Sequence, residues 1–323
     1  MTNPERDPDV LTCETHVTPG VEIMTPREVP LGGPRAMGVR RTLPQRGRSL
    51  IGAWCFLDHY GPDDVAGTGG MLVAPHPHTG LQTVSWLFTG EIEHRDSVGT
   101  RAMVRPGEVN LMTAGHGISH SEVSTAATTT LHGAQLWVAL PDAARDTAPA
   151  FAHHAPAPLT GDGYEARVFL GSLLGDTSPV DTFTPLLGAE LLLDPGTVLT
   201  LDVDASYEHG VLVDTGSLVV AGVEVAKDEL AYVPPGDATL ELRAGDTAVR
   251  LLLLGGPPFG EAIVMWWNFV GRSHEEVVAY REQWQAQITP DGLVDGRFGI
   301  PVDDPLPPIP APALPNARLR ERR

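Results

Sequence analysis

The chain has 323 residues, 42% of them hydrophobic, enough for about two domains that each bury a core. Its formal net charge of −19 opposes direct binding to nucleic-acid phosphates or to an anionic membrane surface. Two cysteines, Cys13 and Cys55, allow one disulfide at most and exclude a disulfide framework or a cysteine-based zinc site.

The opening residues show no basic segment followed by an apolar stretch, and no run of about 18 apolar residues occurs. A soluble, cytoplasmic chain that does not enter a membrane is the expectation. From Val21 to about Pro141, short apolar runs are punctuated by glycine and proline. "SLIGAWCFLDHYGP" (49–62), "LQTVSWLFTGEIEHRD" (81–96), "MVRPGEVNLMTAGHG" (103–117) and "TTTLHGAQLWVALP" (128–141) read as strands closed by turns. Residues 1–145 are taken as a first domain. Residues 146–165, rich in alanine and proline without periodicity, are taken as a linker.

Strand patterns resume in 166–300, with "AELLLDPGTVLTLDV" (189–203), "HGVLVDTGSLVVAGVEV" (209–225) and "TAVRLLLLGG" (247–256). The turn Pro235-Gly236 repeats the style of Pro106-Gly107, so a duplicated β-domain is expected. The spacing predicts one helix over about 273–288. Ser273 and Glu276 form a capping box, and Val277, Tyr280, Trp284 and Ile288 share a face. Residues 301–323, proline-rich and then basic, are expected to be an extended or disordered tail. The fold class is all-β, an antiparallel sandwich or barrel in each half.

The chemistry concentrates in the histidines. In "APHPHTGLQTVSW" (74–86), His76 and His78 are two residues apart and would face the same way in a strand, about 6 to 7 Å from each other. Pro77 stiffens the stretch and places it at a strand edge or entry. "GISHSEV" (117–123) pairs His120 with Glu122 at the same spacing. Three imidazoles and one carboxylate suit a divalent first-row metal: iron, manganese, nickel, zinc or copper. Of the rest, His94 and Asp96 form another same-face pair, a candidate for orienting a ligand. His116 sits in a glycine loop, a candidate for proton transfer. His59, His132 and His274 read as structural, and His153 and His154 as exposed.

The strings "FLDHYGP", "PHPHTGLQTVSWLFTGEIEHRDSVG", "RPGEVNLMTAGHGISHSE" and "LHGAQLWVALP" resemble the pirin family of bicupins. That resemblance implies two consecutive cupin barrels (double-stranded β-helix, jelly-roll-like) with a short C-terminal helix. It implies a mononuclear iron(II) site in the first barrel, held by His76, His78, His120 and Glu122. Gln82 stands where many cupins keep a carboxylate, so Glu122 is the expected acid, with Gln82 near the ligands. The second barrel lacks the ligand set, and its one candidate is His209. The resemblance further implies a quercetin 2,3-dioxygenase-type enzyme acting on a flavonol and dioxygen, with Glu122 as base and His116 as outside proton shuttle. The alternative it carries is a regulator that binds a transcription factor or metabolic enzyme according to the iron's redox state. A bicupin with a degenerate, metal-free site is the third reading.

Overall fold

The computed structural model describes residues 20–31 and 37–322, and Cys13 lies outside them. After β1 (Glu22–Met24) and β2 (Arg27–Leu31) come β3 (Met37–Leu43), β4 (Trp54–Asp64), β5 (Leu72–His78) and β6 (Leu81–Thr89). Then follow β7 (Ile92–Asp96), β8 (Arg101–Val104), β9 (Val109–Thr113), β10 (Ile118–Ser124), β11 (Thr130–Ala139) and β12 (Ala150–His154). They build the first barrel from a sheet in the order β12-β9-β6-β11-β4-β3-β2 and a smaller one in the order β5-β10-β7-β8.

The second barrel uses β13 (Leu159–Gly161), β14 (Tyr164–Leu170), a small hairpin of β15 (Ser172–Leu173) and β16 (Asp176–Thr177), β17 (Leu187–Leu193) and β18 (Val198–Asp202). It continues through β19 (Glu208–Thr215), β20 (Leu218–Val220), β21 (Val223–Val225), β22 (Leu230–Val233), β23 (Thr239–Ala244) and β24 (Val249–Gly256). Its sheets run β1-β22-β19-β24-β17-β14-β13 and β18-β23-β20-β21. The all-β, two-barrel expectation holds.

Strand sequence follows strand environment. In β23 the residues alternate, with Leu240, Leu242 and Ala244 buried and Thr239, Glu241 and Arg243 exposed, as a strand with one wet face requires. In β6 burial is continuous from Leu81 to Leu87 because neither face meets water. Its even positions Val84 and Trp86 join the core shared with Phe169, Leu212 and Leu252 of the second barrel. Trp86 stacks on Phe169 at 4.5 Å between ring centroids, and its indole N–H donates to Glu190 Oε2 at 3.2 Å. Trp54 donates to the carbonyls of Leu187 and Gly255, at 3.2 and 3.3 Å. The two larger sheets therefore pack face to face, with indole N–H groups satisfied across the interface.

A polar clasp lies in the same interface. His59 and His132 of the first barrel donate from Nε2 to Oδ1 of Asp214 in the second, at 2.8 and 2.6 Å. Burial favours the neutral acid at Asp214, but the hydrogen bonds from His132 and His59 hold its carboxyl below its usual value. The two histidines act between domains, each through a hydrogen bond to one carboxylate, and not locally.

The two halves also exchange ends. β1 pairs with β22 of the second barrel, Glu22 opposite Tyr232. After β24 the chain returns to the first barrel through a hairpin of β25 (Val264–Trp266) and β26 (Phe269–Gly271), where the Val270 N–H donates to the Thr79 carbonyl at 3.1 Å. Helix α1 (His274–Gln287) starts at the expected cap, Ser273 Oγ accepting from the Glu276 N–H at 3.2 Å, while Glu276 Oε2 accepts from the Arg272 N–H at 2.7 Å in place of the Ser273 N–H that a capping box would use. Val277, Tyr280 and Trp284 bury against Phe269 and Phe298, and Ile288 is the C-cap. A two-residue pair, β27 (Ile288–Thr289) and β28 (Gly292–Leu293), follows.

Two expectations are corrected. Residues 146–165 are not an irregular linker: β12 adds to β9 of the first barrel, Ala152 opposite Leu111, and β13 pairs with β14 of the second. An edge strand is held by backbone hydrogen bonds and needs no apolar alternation, so its sequence carries little signal. The tail after 300 lacks regular strands, as its prolines dictate, yet it is packed. Trp284 Nε1 donates to the Ile309 carbonyl at 2.8 Å, and Ala311 and Leu319 are buried.

Arg41 and Asp58 form a buried bidentate pair, Nε–Oδ1 2.7 Å and Nη2–Oδ2 2.8 Å, with the guanidinium 4.4 Å from the Phe56 ring centroid. Arg41→Met would leave the carboxylate uncompensated. The expected loss is about 3–5 kcal/mol of unfolding free energy, read from urea denaturation; a loss below about 1 kcal/mol would contradict this reading of the pair.

Candidate metal centre

The register of β10 assembles the centre. On one side β10 pairs with β5, His120 opposite His76 and Ile118 opposite His78, with a bulge between His120 and Glu122. On the other it pairs with β7, His120 opposite Asp96 and Glu122 opposite His94. Residues directly opposite on antiparallel strands share a face, so the imidazoles are driven together. His76, His78 and His120 are fully buried, and Glu122 is 1% exposed.

Backbone carbonyls set the tautomers. His76 Nδ1 is 2.9 Å from the Ala74 carbonyl and His78 Nδ1 is 3.1 Å from the Asn268 carbonyl. A carbonyl only accepts, so both Nδ1 atoms carry the proton and both Nε2 atoms keep a lone pair. His76 Nε2 is buried with no hydrogen-bond partner. His78 Nε2 lies 3.1 Å from His120 Nε2, and the donor atoms of the three imidazoles are all within 4.8 Å of one another. Two cis nitrogens bound about 2.1 Å from one ion would stand about 3 Å apart, so this spacing fits a shared metal. Glu122 belongs to a second group, with His94 and His120, whose ligand atoms again lie within 4.8 Å of one another; His120 is common to both groups. Ser85 Oγ lies 3.4 Å from Glu122 Oε1.

Burial keeps the imidazoles neutral. It pushes His76 down to about 3 and takes His78 and His120 well below the usual histidine value, with the neighbouring imidazoles adding to the effect. Neutral imidazole is the form that ligates a metal.

Behind His120 the structure places His94, the two Nδ1 atoms 3.3 Å apart. His94 Nε2 is 3.1 Å from Asp96 Oδ2, and Asp96 Oδ1 accepts from the backbone N–H groups of Val98 and Thr100 at 3.0 and 2.9 Å. A turn thus fixes the carboxylate, the carboxylate fixes His94, and His94 backs His120.

Two expected neighbours are not brought in. His116 is exposed in the turn before β10; its own N–H donates to the Thr147 carbonyl, and its carbonyl accepts from Arg297 Nε at 2.6 Å. Gln82 is buried, but alternation along β6 puts it on the face of Val84 and Trp86, away from Ser85 and Glu122, where it donates to Thr113 Oγ1 at 2.9 Å. Counting residues after His78 gave the right strand and the wrong face.

Other contacts were not legible. The Asn268 carbonyl reaches His78 across 190 positions of sequence. The Trp137 ring meets His78 edge-on at 5.1 Å, and Phe151 lies 4.9 Å from His94. The tail braces the ligand strands from outside: the Ile309 N–H donates to the Pro75 carbonyl at 2.8 Å, the Val302 N–H to the Asp96 carbonyl at 3.1 Å, and Ser121 bonds Asp304. The run "WWNFVG" was the only available hint, as an apolar stretch outside both barrels' strand patterns.

Two barrels of this topology, one with a buried histidine–carboxylate cluster, define a bicupin. The family model for Pirin matches residues 36–138, and that for the Pirin C-terminal cupin domain matches residues 188–289. A Pseudomonas aeruginosa protein named "Putative quercetin 2,3-dioxygenase PA1205" is 45% identical over 288 residues, 89% of this chain and 90% of its own. A pirin-like protein of Caulobacter vibrioides is 37% identical over 286 residues, 85% of this chain and 94% of its own. A crystal structure of quercetin 2,3-dioxygenase from Acinetobacter baumannii superposes with a TM-score of 0.86 at 38% identity, covering 94% of this chain and 98% of that one. The chain belongs to the pirin family. No helix among the described residues is long and apolar enough to cross a membrane.

The neutral histidines carry a pH dependence. His76 titrates near 3 when folded and near 6.5 in an unfolded chain. Below about pH 6.5 the unfolded state takes up a proton that the folded state refuses, so stability is fully present above that value and falls as pH drops toward 3. Metal-free protein should be less stable at pH 5 than at pH 8 by about 2 kcal/mol from His76 alone, measured by urea midpoints. The slope should flatten in His76→Gln.

Proposed function

We propose that the protein holds one divalent iron ion through Nε2 of His76, His78 and His120 and a carboxylate oxygen of Glu122, and that it cleaves a flavonol with dioxygen as a quercetin 2,3-dioxygenase does. The observation that carries this reading is the set of buried, neutral imidazole nitrogens converging beside a carboxylate. The similarity to a P. aeruginosa protein and an A. baumannii structure bearing that enzyme's name supports it. Four such ligands leave positions free on an octahedral ion, which separates this set from a closed structural zinc site.

When bound, the ion supplies Lewis acidity that stabilises the deprotonated 3-oxygen of a flavonol. The rest belongs to the chain. A Glu122 carboxylate oxygen accepts the 3-hydroxyl proton, with Ser85 Oγ close enough to steady that carboxylate. Protonation at Nδ1 of His76 and His78 keeps their Nε2 atoms turned inward. His94 Nδ1 accepts a hydrogen bond from His120 Nδ1–H, and His94 Nε2–H donates to Asp96 Oδ2, which holds the His120 ring in one orientation. Trp137 and Phe151 wall the site with apolar surface that excludes water. Overall, both atoms of dioxygen enter the products, and one ring carbon leaves as carbon monoxide.

Metal-loaded protein should consume oxygen when given quercetin, and His76→Ala should lower that uptake by about 100-fold or more, since even residues behind a ligand are worth 10–100-fold. An oxygen electrode with metal content measured alongside decides. Full uptake in His76→Ala at matched metal content, or metal without uptake in the wild type, sinks the dioxygenase reading; the latter leaves a metal-dependent regulator. His94→Ala should weaken metal binding by about 10–100-fold in a chelator competition.

A further inference from the structure

The second barrel has its own open mouth. By place in the sheets, β18 and β19 are the counterparts of β5 and β6, the strands whose junction carries the first barrel's histidines. At the corresponding end of the second barrel, between the β18–β19 connection and the segment 171–187, lies a cavity of about 550 Å³. Volumes of about 300–1,000 Å³ are those of small-molecule sites.

His209 is the polar anchor of this cavity. It lies on the inner face of β19, in step with the core residues Val211 and Val213. It is 3% exposed, and its Nε2 is buried with no hydrogen-bond partner. Buried polar atoms are nearly always paired, so an orphan nitrogen in a cavity wall points to a missing partner. The opposite strand makes room for the ring: a Cβ at Gly255 would stand 3.1 Å from His209 Cδ2.

The rest of the lining selects the ligand. β18 ends in Asp202, with Asp204 just beyond, where β5 ends in histidines. Among the described residues these carboxylates and His209 do not gather three ligand atoms within 4.8 Å, unlike the first barrel's set. The carboxylates repel anions, and burial takes His209 down to about 4, so it offers no cation to attract one. A neutral imidazole and carboxylates together suit hydroxyl groups, which donate to either. Val180, Leu187 and Phe183, the last 43% exposed, give the apolar wall for a ring.

We propose that the mouth of the second barrel is a binding site for a small neutral polyhydroxylated aromatic, anchored by a hydroxyl on His209 Nε2. The site is separate from the metal centre and independent of the reaction assigned to it.

Resorcinol is the probe, because its hydroxyls are too far apart to chelate a metal; benzoate is the anionic control. Binding to the full metal-loaded chain is followed by ligand-observed NMR. His209→Ala should weaken resorcinol about tenfold, through the lost hydrogen bond and its anchoring of the ring. Phe183→Ala, at an exposed wall position that leaves folding alone, should weaken it several-fold, and His120→Ala should leave it unchanged. Benzoate should not bind. Absence of resorcinol binding up to about 10 mM, affinity unchanged in both wall variants, loss in His120→Ala, or equal binding of benzoate would each overturn the proposal.

Discussion

The antiparallel register of β10 between β5 and β7 is the constraint on which the candidate centre depends. It sets His120 opposite both His76 and Asp96, and Glu122 opposite His94. A slip of one residue would turn His120 and Glu122 to the other face of the sheet and dissolve the cluster. Pro77 stands opposite Ser119, whose N–H donates to Ser97 Oγ and whose carbonyl accepts from the Ser97 N–H, so the donor that proline lacks is not one the β5–β10 ladder uses, and the edge strand β5 tolerates it. The bulge between His120 and Glu122 then re-aims the carboxylate without losing the pairing beyond it.

Such a cluster is costly without a metal. Several buried imidazoles with their lone pairs facing one another give up solvation and gain little from each other. The surroundings hold the arrangement in place: carbonyls from Ala74 and Asn268, the His94–Asp96 pair, and the tail across Pro75 and Ser121. Much of that support comes from residues beyond 260. The second barrel is thus a spacer that returns the chain to the first, as well as a partner whose large sheet covers Trp54 and Trp86. The exchange of ends, β1 one way and the hairpin, helix and tail the other, makes each half depend on the other.

The barrels were legible because glycine and proline mark the turns and alternation marks the strands. The histidine pairs were legible because strand period is two, and pairs at i and i+2 must share a face. Other positions depend on one more level of structure. Gln82 was placed by counting rather than by parity, and the parity of β6 depends on which face meets the second barrel. His116 was placed by nearness in sequence to His120, but a turn intervenes. The strands β12 and β13 and the packed tail carry few apolar side chains of their own and are held by backbone hydrogen bonds, which composition does not show. His59 and His132 read as local residues because their partner, Asp214, is in the other domain.

The proposed function requires one ion held by four side chains, His76, His78, His120 and Glu122. Crystals of the iron-loaded protein, measured on both sides of the iron absorption edge, test it most directly. The prediction is a single anomalous peak about 2.0–2.3 Å from Nε2 of His76, His78 and His120 and from a Glu122 oxygen. A peak between His59, His132 and Asp214 instead, or no peak at the mouth of the first barrel after loading, would contradict it.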